Sequence, residues 1–341
     1  MNRFDSSLLT RRPSRIVRHA IASVTAALAV GFATAPAYAA APLKIGYSDW
    51  PGFVAFQIAI DKGWFKEAGV DVDFEWFDYS ASLDAFSAGK LDAVGATNGD
   101  ALVTGATGAK NVMILVTDYS SGNDMLVARP STKSVKDLKG KKVGVEVGLV
   151  DHLLLDTALE KNGLKETDVT LVNAKTNELP QVLASSKDIA AVGAWQPNAG
   201  EALKRVPGSR AIFTSADAPG LIYDTFTVNP ASLSARKADW AKVLKVWYQC
   251  VAYVNDPKTQ ADAVKIMSAR VGLTPAQYLP LLKGTHLLDA TAAKKALTKG
   301  DGLDSVYGSS ANADKFNVRN AVYKQAQDVG TYIDPSLTVA Q

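Results

Sequence analysis

The sequence predicts an α/β fold of two similar lobes, each a parallel-rich sheet with flanking helices, facing one another across a ligand cleft. Three observations predict it. Strand-like and helix-like segments alternate through the first two hundred residues, the pattern of right-handed β-α-β crossovers. The alternation occurs twice, at an offset of 98 residues: Ile45-Gly46 answers Val143-Gly144, and Ala93-Val94-Gly95-Ala96 answers Ala191-Val192-Gly193-Ala194. From about residue 232 onward, helical periodicity alone remains.

Taken in order, "LKIGYS" (43–48) reads as a strand and 54–67 as an amphipathic helix after a Pro-Gly turn, with Gly69 as its stop. "VDVDFEWF" (70–77) alternates as a second strand, "SLDAFSAGK" (82–90) is a helix, and "LDAVGAT" (91–97) is a third strand. The second copy runs "KKVGVEV", "HLLLDTALEKNG", "DVTLVNA", "ELPQVLASS" and "IAAVGAW" in the same alternation. Helix starts are then expected at Ser232 or Ser234, Asp256-Pro257, Thr274-Pro275, Thr291 and Asn312. These helices are expected to pack back on the first lobe. The organisation that follows is 1–39 leader, 40–125 first part of lobe 1, 126–222 lobe 2, and 223–341 return to lobe 1. Two crossovers, near 124–129 and 222–229, would form a hinge that lets the cleft close on a ligand.

The N-terminus carries its own signature. Basic "RRPSRIVRHA" (11–20), apolar "IASVTAALAVGFATAP" and the small-residue site Ala37-Tyr38-Ala39 together read as a secretory signal peptide, cleaved near Ala39. The apolar run is too short to favour a membrane span, and no Cys stands at the cleavage site for a lipid anchor. The expected product is periplasmic, soluble and not itself membrane-spanning. Setting aside the five Arg and one Asp of residues 1–39 leaves 32 basic and 33 acidic side chains, a formal net of −1. No basic patch therefore calls for nucleic acid. Cys250 is the single cysteine, in an apolar helical stretch, and reads as a buried inert thiol. His152 and His286 lie far apart, metal-ligand spacings are absent, and so are G-x-S-x-G, H-E-x-x-H and Gly-rich phosphate loops. No catalytic residue, metal or cofactor is expected.

Ligands of open α/β sheets sit beyond the carboxyl ends of the strands. Those loops are acidic and aromatic here: Asp49-Trp50, Asp78-Tyr79, Asn98 and Asp100, Asp118-Tyr119, Glu146, Asp151-His152, Trp195-Gln196 and Asp224. Residues 46–61, 67–89, 91–109, 111–128, 143–160, 188–203 and 211–235 contain no Lys or Arg at all. The expected ligand contacts are Asp49, Trp50, Asp78, Tyr79, Asn98, Asp118, Glu146, Trp195 and Asp224. Structural alternatives stand beside several of them. Asp49 could cap the helix that follows, Asp151 could be the N-cap of its own helix, and Trp50 could be a core plug. His152 reads as a satisfied structural histidine, and Trp64, Trp240 and Trp247 as core.

The phrases "IAIDKGWFKEAGVDVDFEWF", "FSAGKLDAVGATN", "VKDLKGKKVGV" and "GLKETDVTLVNA", followed by "GAWQP", resemble the nitrate/taurine-type periplasmic substrate-binding proteins of ABC importers. The resemblance covers about residues 43–330. It implies a two-lobed type II binding protein that closes on a small-molecule solute and delivers it to an inner-membrane ABC permease. The same family includes thiamine-precursor proteins and fungal pyrimidine synthases that use a Cys-rich stretch and an active-site His, which this chain with its single Cys does not match.

Many such relatives hold anions with Ser/Thr hydroxyls at a second-lobe helix N-terminus. The matching segment here, "VGLVDHLLL", has Gly148 but no Ser or Thr, and Asp151 would repel an anion. Carboxylates and aromatic rings suit a small planar cation, and guanidinium offers both edge donors and a flat face. Members linked to urea and guanidine metabolism have a segment similar to Glu146 with His152-Leu153-Leu154. The expected solute is thus guanidinium-like. The alternatives are a taurine, alkanesulfonate or nitrate binder in the same fold, or a secreted enzyme acting on a pyrimidine or amidine.

Overall fold

The computed structural model describes residues 41–341. The signal-peptide reading of residues 1–39 lies outside the described residues. Eleven strands form two sheets. The first contains β1 (Leu43–Tyr47), β2 (Val72–Trp76), β3 (Ala93–Thr97), β4 (Val112–Ser120), β10 (Tyr223–Val228) and β11 (Thr285–Leu287). The second contains β5 (Asp124–Ala128), β6 (Lys142–Val145), β7 (Thr170–Asn173), β8 (Ile189–Trp195) and β9 (Arg210–Thr214).

Strand order makes the repeat visible. It is β2-β1-β3-β10-β4, with β11 on the edge, in one sheet, and β7-β6-β8-β5-β9 in the other. In both, a parallel trio is followed by one antiparallel strand, β10 or β5, and that strand comes from the far side of a crossover. The sheets are therefore mixed, with β10 and the edge strand β11 running against their neighbours in the first and β5 in the second. The chain crosses at Ser121–Asn123 and again between Thr214 and Tyr223, slightly ahead of the expected 124–129 and 222–229, because the residues there are already the strands β5 and β10.

Strands buried on both faces read as continuous apolar runs, and β3, β5, β8 and β10 are buried at every position. The expected 54–67 helix is three short ones, Pro51–Val54, Phe56–Lys62 and Trp64–Glu67. The last break is set by Gly63 in the left-handed region (φ 72°). Pro51-Gly52 is not a turn before a helix but its first two residues, since Pro fits the first helical turn.

The C-terminal helices pack on the first sheet. Lys237–Asn255 buries Trp240, Val243, Leu244, Trp247, Cys250 and Val254, a helical stripe. Trp247 lies 4.7 Å from Phe56, which lies 4.7 Å from Phe226 of β10. Burial pushes the Cys250 thiol up to about 12, so it stays protonated and inert. Of the expected helix starts, Thr274 caps Pro275–Lys283 in a capping box, whereas Asn229, Asp289 and Ser305 cap helices whose starts were expected elsewhere. No helix among the described residues is long and apolar enough to cross a membrane.

Candidate functional site: an acidic, aromatic cavity between the sheets

The carboxyl ends of β1, β3, β6 and β8 and the beginnings of β5 and β10 meet between the two sheets. Trp50, Phe53, Tyr79 and Trp195 wall a small cavity there, and Asp124 and Asp224 reach its lining. Its free volume is about 10 Å³, room for about one water, so a solute of a few heavy atoms fits only when the two halves part.

Asp124 opens β5 and Asp224 is the second residue of β10, so the two crossing strands hold equivalent places in the two sheets. Each is almost wholly buried, and each has a carboxylate oxygen, Oδ2, with no hydrogen-bond partner. Asp151, in the first turn of the helix Val150–Lys161, is likewise buried with both oxygens unpartnered. Buried polar groups are nearly always paired, and leaving a carboxylate so costs several kcal/mol, on the order of the penalty for desolvating an ion. Three such acids close together are an arrangement that a cation would satisfy.

Burial pushes Asp100, Asp118 and Asp124 up to about 7, and burial together with neighbouring acids raises Asp151 and Asp224 well above the ordinary carboxylate range. None of the five has a Lys or Arg among the groups that shift it. Asp118 stands opposite Asp224 across the β4–β10 ladder. Its Oδ1 accepts from Trp50 Nε1 (2.9 Å) and its Oδ2 from Thr117 Oγ1 (2.8 Å). Trp50 is thereby held in the cavity wall by the carboxylate behind it. The approach requires Gly52, where a Cβ would stand 1.9 Å from Asp118 Oδ2.

The remaining expected residues divide by position. Asp49 does not cap the following helix. It accepts from Trp195 Nε1 (3.3 Å) and Asn198 Nδ2 (2.9 Å) of the second half, so it is a tie across the cleft. Tyr79 donates to Asp100 Oδ2 (2.7 Å), accepts from the Thr97 N–H (3.0 Å), and meets Trp195 edge-on at 5.1 Å. Asp78 is exposed and Glu146 buried, and both line a second, outer cavity with Asp49. Glu146 Oε2 accepts from the backbone N–H and the hydroxyl of Thr176.

The amide of Asn98 donates to Ser309 and Ser310, and its carbonyl accepts from the Tyr223 N–H, so it braces β10 against the helix Val306–Arg319. Asp118 stands behind Trp50, with a hydrogen bond to each of its oxygens. Asp151 is not an N-cap: Leu149 holds that position. His152 accepts from the Gly148 N–H at Nδ1 (3.1 Å), and its Nε2 meets Glu166 (2.8 Å), a satisfied arrangement.

Asp124 escaped the sequence reading because residues 124–129 were taken as connection. The signal was present: a carboxylate heading the unbroken apolar run Met125–Ala128. Asn198, the first residue of the helix Asn198–Arg205, and Thr176 also went unnoticed, since a short polar side chain at a helix start or in a loop has no distinguishing pattern.

The Val150 N–H at the start of Val150–Lys161 lies toward the carboxylate of Asp100 and lowers its pKa slightly against the larger effect of burial. Among the described residues, no group of three or more His, Cys, Asp and Glu is arranged to hold a metal ion.

Comparisons agree with the architecture. The chain is 35% identical over 179 residues to a Brucella abortus (strain 2308) chain named only as a binding protein, covering 52% of this chain and 54% of that one. The match thus spans about half the length of that relative. Among solved structures, the alkanesulfonate-binding protein SsuA from Xanthomonas axonopodis pv. citri, bound to MOPS, superposes with a TM-score of 0.70 at 18% identity. That match covers 86% of this chain and 98% of the other. The desulfurization enzyme DSZB superposes at 0.60 with 14% identity over 87% and 98% of the two chains, so the architecture hosts both receptors and a catalyst. A family model described as NMT1/THI5 like matches residues 50–260, and the chain belongs to that family.

Proposed function

We propose that the protein is the solute receptor of an ABC importer, working in the periplasm, and that it captures a small planar monocation of the guanidinium type by closure of its two halves. The observation that carries this reading is the pair of unpartnered carboxylate oxygens of Asp124 and Asp224, on equivalent strands, in a cavity walled by Trp50, Tyr79 and Trp195. A guanidinium edge would donate to both acids while an indole covers its face. One cation between two acids leaves one carboxyl protonated, in keeping with their raised pKa values. Asp49, Trp195 and Asn198 then join the halves over the occupied cavity. With β5 in the second sheet, the residues up to Ser120 and from Tyr223 onward would move as one lobe and Asp124–Thr214 as the other, with an inner-membrane permease receiving the solute.

The anion reading rests on the sulfonate receptor that shares the fold. Against it, Asp100 lies toward the helix start and no base borders the cavity. The enzyme reading lacks a nucleophile with a base beside it among the cavity residues.

The test is isothermal titration calorimetry on protein refolded once to remove carried-over solute, with guanidinium, urea, methylguanidinium, taurine and nitrate, each below millimolar. Saturable heat with guanidinium and silence with taurine and nitrate is expected. The reverse pattern would leave the receptor and discard the cation.

A further inference from the structure

Outside the cavity that holds Asp124 and Asp224 lies a second, larger one of about 80 Å³ that opens to solvent. Trp76 and Phe77 form an apolar side, while Asp49, Asp78 and Glu146 supply three carboxylates. Glu146 is buried, and both of its hydrogen bonds fall on Oε2, leaving Oε1 without a partner among the described residues. Lys175 is the one cation on this lining, and it is exposed, where water screens its charge.

Tyr79 and Trp195 line both cavities, so the ring pair is the wall between them. Its two sides are held unequally. The Tyr79 hydroxyl is pinned by Asp100 and by the Thr97 N–H, at 2.7 and 3.0 Å, whereas Trp195 has a single longer bond, 3.3 Å to Asp49. Of the two rings, Trp195 is the one held by the weaker hydrogen bond.

We infer that the outer cavity is a tail subsite, and that the solute is an N-substituted guanidinium whose alkyl chain passes Trp195 and ends in an ammonium or similar N–H donor facing Glu146, Asp78 and Asp49. This rests on the cation reading of the inner cavity and extends it from a bare ion to a dication of defined shape. Apolar walls followed by acids match a methylene chain followed by a charged end. The inner cavity alone gives no means of telling a bare guanidinium from a substituted one, and the outer cavity would supply that discrimination.

The test compares guanidinium, butylguanidine and 4-aminobutylguanidine by calorimetry on the wild type, E146Q, D78N and D224N. Butylguanidine has the chain without the terminal charge, so its affinity relative to 4-aminobutylguanidine isolates the tail end. The aminated compound is expected to bind roughly 10-fold more tightly in the wild type, about 1.4 kcal/mol. E146Q is expected to bring that ratio to within about twofold. D78N, at an exposed position that should not disturb folding, lowers it by a smaller factor. D224N weakens both compounds but keeps their ratio. Equal binding of the two compounds by the wild type, or a ratio that survives E146Q and D78N together, overturns the tail subsite while guanidinium binding keeps the inner reading. Silence of all three compounds overturns both.

Discussion

The two halves of the molecule share a strand order and differ in what stands behind it. The first sheet is backed by long helices and an aromatic cluster in which Phe74, Phe226 and Trp247 all meet Phe56. The second has a small aliphatic core of Leu179, Leu183, Val192, Ala194, Ala199 and Ala202. Yet both send one acid from an antiparallel crossing strand into the same cavity. The frame diverged while the site kept its near-twofold form, which is the expected pattern if the first half is the rigid partner and the second closes on it.

The largest effect should come from the frame. Phe226→Ala removes a ring wholly buried among aromatics and is expected to cost about 3–5 kcal/mol. Val192→Ala, equally buried in the second half, is expected to cost about 2 kcal/mol, two methyl groups at about 0.8 kcal/mol each plus a small cavity. Thermal melts of the two variants check this. Equal losses would erase the distinction between frame and moving half.

Next is the equivalence of Asp124 and Asp224. If each receives one edge of the same cation, D124N and D224N should weaken guanidinium binding by similar factors, at least about 30-fold, as for a truncated partner in a buried charged pair. Both variants should also melt higher than the wild type without ligand at neutral pH, because each removes a carboxylate that burial disfavours. Calorimetry and melts on the same samples decide. A large loss in one and none in the other would mean that the cation leans on one half only.

The pH dependence follows from the same acids. Asp100, Asp118 and Asp124 move from the ordinary 3.8 up to about 7 through burial. The folded chain therefore holds protons that the unfolded chain has released, and stability must fall as pH rises. It should be highest below about pH 4 and decline through pH 7. A bound cation replaces those protons, so guanidinium affinity should increase over the same interval and binding should release protons to buffer. Melting temperatures from pH 4 to 8, with and without ligand, show the slope. A stability that rises with pH would mean these carboxylates are ionised and compensated.

Much of this was legible in the sequence, for identifiable reasons. The 98-residue echo records two sheets built from one pattern, and the doubly buried strands announce themselves as apolar runs. The absence of Lys and Arg from the strand tips anticipated a site without bases. Three things could not be read. Asp124 looked like linker because a strand that crosses between sheets begins without a turn signature. The bonds of Asn98 to Ser309 and Ser310 were not legible because those partners are more than two hundred positions away. Asp49 became a tie between halves only when Trp195 and Asn198 were brought against it.

The smallest effect tests whether frame and site are separable. Thr274 caps the helix Pro275–Lys283 in a capping box with Gln277, exposed to solvent. Thr274→Ala should cost about 1 kcal/mol, the usual value of such a cap. The helix it starts carries Tyr278, whose hydroxyl donates to the Pro51 carbonyl at 3.4 Å, one residue beyond Trp50. That bond is long and sits at the limit of useful geometry, so the lost cap should not be felt at the cavity. Guanidinium affinity is accordingly expected to stay within about twofold of wild type while the melting temperature falls. If affinity drops with stability, Trp50 is positioned by the C-terminal helices as well as by Asp118, and the rigid half would be a working part of the site.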